Sequence, residues 1–174
     1  MADRAKNASK KIALLGILGA QALTLSFLEN LIPPLPGLPP GVKPGFSNIV
    51  TMYAIQALGP GEAFFITLLK ALFAGLTRGP VAFVLSFAGG MLSTVVMILL
   101  LRPRSPFGLA GVSVAGALAH NSGQLAGAVI LTGTAKTAFY APLLVLSAVV
   151  TGIITGTVLK VVMPVLEKQR KYFM

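Results

Sequence analysis

The chain has no cysteine and no tryptophan, a single histidine, and only four carboxylates among 174 residues. Without cysteine it can form no disulfide, no thiolate nucleophile and no Cys-type metal site, and it says nothing about redox compartment. The carboxylates, Asp3, Glu29, Glu62 and Glu167, lie in different segments. No pair of them is placed to bind Mg²⁺ or to share acid–base work. A solitary His120 without a nearby acid is not a zinc site. No G-x-x-x-x-G-K-[ST] loop occurs, so the chain does not hydrolyse ATP by that route. These absences point away from an enzyme and imply no cofactor.

What is present is apolar surface. Hydrophobic residues make up 55% of the chain and charged residues 10%, with a mean hydropathy of +0.87. A soluble core could not hide this much apolar surface behind so few charges. The expected fold is an all-α integral membrane protein, and nineteen glycines suit close helix contacts in lipid. The formal net charge of +10 would fit nucleic acid only if it gathered on a soluble face. The basic residues instead flank the hydrophobic runs, where they set topology and touch the lipid bilayer, so no nucleic-acid partner is expected.

In chain order, residues 1–11 carry Arg4, Lys6, Lys10 and Lys11 and read as a mobile basic segment on the cytoplasmic side. A single membrane domain follows over 12–165, and residues 166–174 form a basic cytoplasmic tail. The first run, Ile12 to Leu28, is long for a signal-peptide core and has no small-x-small cleavage site before the prolines, so it reads as a retained span. Six prolines, Pro33, Pro34, Pro36, Pro39, Pro40 and Pro44, then forbid helix and predict an extended loop. Two short runs come next, Phe46 to Leu58 and Glu62 to Thr77. The first reaches only about 20 Å at 1.5 Å per residue, so this pair either crosses a thinned membrane or forms a re-entrant hairpin. Span four covers Val81 to Leu101 and carries Ser86, Gly90 and Thr94 on one row. Span six runs from about Ala138 to Met163, with Ala148, Gly152 and Gly156 as a row of small residues.

Span five, Phe107 to Leu131, organises the rest. It covers roughly 37 Å, enough to cross a bilayer with some tilt. Residues four apart stack on one face, so Gly111, Ala115, Ala119, Gly123 and Gly127 form a seam that lets helix backbones approach closely. The adjoining row is Gly116, His120 and Gln124, with Asn121 beside it. Polar groups at that depth are costly in lipid and face a bundle interior or a water-filled cavity.

With both ends inside, the cytoplasmic flanks hold Arg4, Lys6, Lys10, Lys11, Arg102, Arg104, Lys168, Arg170 and Lys171, against Lys43, Arg78 and Lys136 outside. Nine against three is a firm positive-inside bias for a six-helix bundle with cytoplasmic termini. That topology brings Glu29, Asn48, Lys70, Arg78, His120, Asn121 and Gln124 towards the outer half. These seven are the candidate solute contacts, and their cations and amides suit a solute with an anionic or carbonyl group. The plainer reading is that each satisfies a neighbouring helix, with His120 as interhelical glue, Lys70 snorkelling, Asn48 capping its helix, and Arg78, like Lys43, an ordinary loop cation.

The segments LENLIPPLPGLPPGVKPGFSNIVTMYAI, FAGGMLS and GVSVAGALAHNSGQL carry a family resemblance. The sequence resembles the membrane family called heptaprenyl diphosphate synthase component I, also known as the Gx transporter family. The likeness rests on an ENxIPP-like start at Glu29 to Pro34, a G-x-x-N-I-V-T segment at Gly45 to Thr51, and a G-x-x-G-A-x-x-H-N-x-x-Q motif ending at Gln124. That family is similar to the S components of energy-coupling-factor (ECF) transporters. The resemblance implies six helices, a solute site near the outer face, and a coupling membrane protein with two ATPase subunits as partners. It also implies docking of those partners on small residues such as Ala13, Gly16 and Ala20. A prenyl diphosphate synthase that ionises an allylic diphosphate needs Asp-rich Mg²⁺ sites, and the one Asp here, Asp3, cannot make one. The leading expectation is therefore an uptake subunit for a vitamin or an isoprenoid or quinone precursor. The alternative is a non-catalytic membrane subunit that accompanies a prenyl diphosphate synthase.

Overall fold

Glycine and proline punctuate the helices. Gly59-Pro60 and Gly79-Pro80 each place a proline in the first turn of a helix, where its missing N–H costs nothing, directly after a glycine at positive φ. The computed structural model describes residues 2–31, 45–102 and 106–173. Six α-helices follow in order: α1 (Ala2–Leu31), α2 (Phe46–Ala57), α3 (Pro60–Arg78), α4 (Pro80–Leu100), α5 (Leu109–Thr132) and α6 (Ala141–Phe173), the last preceded by a 3₁₀ turn at Ala135–Tyr140. The expected proline-rich loop with Lys43, and Arg104 in the turn before span five, lie outside the described residues.

The ends of the chain differ from expectation. No glycine or proline interrupts residues 2–15, so α1 propagates back to Ala2 instead of leaving a separate basic segment. Likewise α6 runs through Pro164 to Phe173, making the expected tail a continuation of the last helix.

Facing pairs give the directions. Gly152 lies against Val114 and Gly156 against Ala110, so numbers rise along α6 as they fall along α5. Gly89 meets His120 and Gly116 meets Met97, which makes α4 and α5 antiparallel as well. Between α1 and α3, by contrast, Gly19 faces Leu69 and Phe27 stacks edge-on with Phe73, so these two helices run parallel. The bundle alternates up and down. The start of α1 and the end of α6 lie at one end, called here the terminal end, and the opposite end is the loop end.

Helix α2 has only 12 residues, about 18 Å at 1.5 Å rise. It is nevertheless pinned at both ends. At the loop end Ser47 bonds Glu29, and at the terminal end the turn after α2 brings Glu62 into an ion pair with Lys11. The α2 segment with its turn thus runs beside α1 from Glu29 down to Lys11.

The apolar core fills the terminal half: Leu14 and Leu18 of α1, Met52 and Tyr53 of α2, Ile66 of α3, Met97 of α4, Val112 of α5 and Leu159 of α6. Tyr53 Oη also donates to the Leu166 carbonyl at 2.9 Å, tying α2 to the end of α6. The tightest packing joins α4, α5 and α6. A Cβ on Gly152 would stand 2.5 Å from Val114 Cα, and one on Gly123 would stand 2.6 Å from the Ala88 carbonyl oxygen. Both contacts exist only because a side chain is absent.

The seam expected on α5 is partly redistributed. Gly123 and Gly127 pack on α4, but a Cβ on Gly111 would meet only Phe107 of its own chain segment. Gly116, expected beside the polar row, takes the seam position against Met97 instead. A spacing of four drifts about 40° per step on a 3.6-residue helix, so a row that begins facing one neighbour ends facing another. The α6 row holds: Ala148, Gly152 and Gly156 are all buried.

Four helical segments, Ala8–Leu31, Pro60–Arg78, Pro80–Leu100 and Ala138–Lys168, are long and apolar enough to cross a membrane. Helix α2 is too short for that criterion, and the His120–Gln124 cluster lowers the mean hydropathy of α5.

Candidate functional site: a polar cavity in the loop-end half

The polar residues that the sequence scatters over four helices meet at the loop end. A cavity of about 50 Å³ there is lined by Glu29, Asn48, Lys70, His120, Asn121 and Gln124. Thr151 of α6 and Ser86 and Gly90 of α4 complete the wall, so every helix contributes. Arg78 stands exposed in the last turn of α3, where a cation complements the helix dipole, and it does not line the cavity.

The rim is built around the start of α2. Gly45 takes a left-handed conformation, φ 75°, and turns the chain into the helix, with the Asn48 amide donating to its carbonyl at 2.9 Å. Gly45 has no side chain to satisfy the free N–H groups of the first turn. Glu29 does so from α1: its carboxylate, 4% exposed, accepts from the Ser47 amide at 3.1 Å and from Ser47 Oγ at 3.4 Å. A buried carboxylate on a helix N-terminus meets both the unpaired donors and the positive end of the dipole. Glu29 is therefore the cap of α2.

That leaves the Asn48 side chain for another task. Lys70 Nζ donates to Asn48 Oδ1 at 3.0 Å, bridging α3 to α2 across the cavity rim. An ammonium has three donors, so two of those on Lys70 remain beyond this bond. Lys70 thus turns to a partner inside the bundle and does not snorkel to an interface.

Helix α5 brings the other wall. Gly89 of α4 lies so close that a Cβ there would be 2.6 Å from the His120 carbonyl oxygen and 2.7 Å from Gln124 Cγ. This contact sets both side chains against α4 at the cavity. Asn121 points the other way, donating through Nδ2 to the Leu144 carbonyl at 2.9 Å and to Ser147 Oγ at 3.4 Å on α6. On the floor, Thr67 and Thr94 share a buried hydrogen bond of 2.7 Å. Ser113 and Thr155 do the same between α5 and α6 at 2.6 Å.

Several lining residues were not anticipated: Ser26, Ser47, Thr67 and Thr151. The signal for two of them was present. Ser26 precedes Glu29 by three positions and Thr67 precedes Lys70 by three, which places each on the same helical face as a residue already singled out. Nothing comparable marks Thr151 amid the apolar α6. Among the described residues no three His, Asp or Glu side chains gather where they could hold a metal ion.

The arrangement can hold a small polar group by hydrogen bonds and one positive charge, in a space closed below by apolar packing. A solved structure described as the S component of a bacterial ECF transporter is similar to this chain, with a TM-score of 0.59. It is 22% identical, over 95% of this chain and 98% of that one, and at that identity the likeness is one of fold. No curated protein matches the chain. The model of the family described as heptaprenyl diphosphate synthase component I matches residues 18–162, and the chain belongs to that family.

Proposed function

We propose that the protein is the solute-binding membrane subunit of an ECF-type uptake transporter, with no catalytic activity of its own. The observation that carries this reading is the cavity to which all six helices contribute, polar at one end of a largely apolar bundle. The similarity of fold to an S component supports it. All six helices cross the plasma membrane, the termini are cytoplasmic, and the cavity lies in the outer half. The solute is a small anionic or carbonyl-bearing molecule, such as a vitamin or an isoprenoid or quinone precursor. Its contacts are Asn48, Lys70, His120, Asn121 and Gln124, with Glu29 holding the rim and Arg78 at the outer surface.

The partners are a coupling membrane protein and two ATPase subunits. Ala13, Gly16 and Ala20 are all exposed on α1, and a Cβ on Gly16 would meet nothing within 4 Å. A second helix can lie close against such a strip. The family's name favours one other reading, a non-catalytic membrane subunit that anchors a prenyl diphosphate synthase.

The test is native mass spectrometry of the protein purified in mild detergent, comparing the wild type with His120→Ala and Asn48→Ala. A stoichiometric solute retained by the wild type and lost from both variants supports the cavity. A solute indifferent to both changes, together with copurification of a prenyltransferase and no ATPase, supports the anchoring subunit instead.

A further inference from the structure

Asn121 is a wall shared by two spaces. On one side it faces the polar cavity; on the other it borders a groove of about 40 Å³ between α5 and the start of α6. The groove is lined by Leu118 and Leu125 of α5 and by Leu144 and Val145 of α6. It lies at the depth of the cavity, because each α5 residue that lines it follows a cavity residue by one position: Leu118 after Ala117, and Leu125 after Gln124. One step along a helix turns the side chain by about 100° while raising it only about 1.5 Å. The two spaces therefore sit side by side and not one above the other, and they differ in character. One offers Lys70, Asn48, His120 and Gln124; the other, apart from Asn121 and Ser122, is aliphatic, with Val145 51% exposed.

The size of the cavity bears on what can fill it. About 50 Å³ accommodates a carboxylate-sized group and a water or two. A larger solute extends beyond the polar lining, and the groove is an apolar space next to it. At Asn121 the α5–α6 seam carries polar side-chain bonds, to the Leu144 carbonyl and Ser147 Oγ. Nearer the terminal end, where Gly152 and Gly156 meet Val114 and Ala110 with backbones in contact, the same seam is shut. Asn121, which lines both spaces, is where the polar cavity and the apolar groove come closest.

Resting on the solute-binding reading above, we propose that the solute is a single-chain amphiphile. Its oxyanion head sits in the cavity at Lys70, and its apolar tail passes Asn121 between α5 and α6 into the groove bounded by Leu118, Leu125, Leu144 and Val145. The tail is then the part that confers affinity, since removing each methylene from water is favourable. The head fixes orientation.

The experiment measures binding of butyrate and octanoate, which share a carboxylate head, to protein in phosphatidylcholine nanodiscs by isothermal titration calorimetry. Empty nanodiscs subtract simple partitioning. The wild type is expected to prefer octanoate by about tenfold or more, less than four buried methylenes would give in full. In Val145→Trp, which fills the groove, the preference falls to about threefold or less. Val161→Trp, on an exposed stretch of α6 away from the groove, controls for the added indole and keeps the wild-type preference. Lys70→Met weakens both ligands. If the octanoate preference survives Val145→Trp undiminished while Lys70→Met abolishes binding, the groove proposal is overturned and the cavity stands. If Lys70→Met changes neither ligand, the solute-site reading itself fails. Absence of binding of both carboxylates to the wild type overturns the amphiphile proposal.

Discussion

The two halves of this bundle are made from the same helices and close in opposite ways. At the terminal end Leu14, Met52, Tyr53, Ile66, Met97 and Leu159 interdigitate, and buried hydroxyls such as Ser113 and Thr155 pair with one another. At the loop end the same six helices surround a cavity walled by Glu29, Asn48, Lys70, His120 and Gln124. The difference lies less in composition than in what sits at the helix contacts. Glycines on α4, α5 and α6 draw those three helices into backbone contact, and Gly75 and Gly90 bring α3 close to α4, whereas α1 and α2 meet the others through larger side chains. Where those larger side chains are apolar, the halves seal; where they are polar, they bond one another along the walls and leave a space between. A binding half on a sealed half suits a protein that must hold a solute without leaking it.

Four changes break or sharpen this contrast, in order of falling effect. Gly152→Leu attacks the slab that both halves share. Its Cβ would lie 2.5 Å from Val114 Cα, and backbone cannot move aside as a side-chain tip can. A loss of about 3 kcal/mol or more is expected, seen as a collapse in the monodisperse peak by size-exclusion chromatography. An unchanged peak would show that α5 and α6 separate more readily than their contact implies.

Glu29→Gln strikes the loop half alone. It removes the charge that caps α2 and weakens the bonds to Ser47, at an expected cost of about 1–3 kcal/mol. Solute retention should fall with stability, since Ser47 and Asn48 are adjacent on the rim. Retention that stays at the wild-type level while the thermal midpoint falls would separate the cap from the site.

Thr67→Val leaves the Thr94 hydroxyl buried without this partner and should cost about 0.5–1.5 kcal/mol. Restoring much of that loss by adding Thr94→Val would identify the pair as a structural bridge under the cavity. A double variant as unstable as the sum of the singles would assign the hydroxyls separate roles. The smallest effect on stability is expected from Gly16→Leu. Its site is open, so the thermal midpoint should shift by no more than about 0.5 kcal/mol allows. Copurification of a coupling protein should nevertheless be lost. If copurification persists, the exposed strip of α1 is not where that partner binds.

Much of the fold was legible because lipid-compatible helices announce themselves. Each of the six runs became a helix, with Pro60 and Pro80 beginning α3 and α4 within two residues of expectation. The ends were less legible. Hydropathy marks where a helix is apolar and not where it stops, so the charged extensions of α1 and α6 escaped it. Seven polar residues were singled out as a group, and six of them line one cavity. Arg78 fell outside because depth alone does not fix the direction a residue faces. Roles were harder than membership. Asn48 is the residue type expected of a cap, yet the cap is Glu29, reached across eighteen positions of chain.

The sequence by itself determined that this chain is a set of apolar helices, which of them carry glycine rows, and which few polar groups lack any local partner. Those are properties of composition and of 3.6-residue spacing, and they need no neighbours. Only the tertiary structure decided which glycine row meets which helix, because a four-residue row drifts around its axis and must be matched to a partner's shape. It also decided that Glu29 serves α2, that Lys70 serves Asn48, and that Asn121 divides a polar space from an apolar one. Hydrogen bonds between distant segments depend on distances that no local spacing contains.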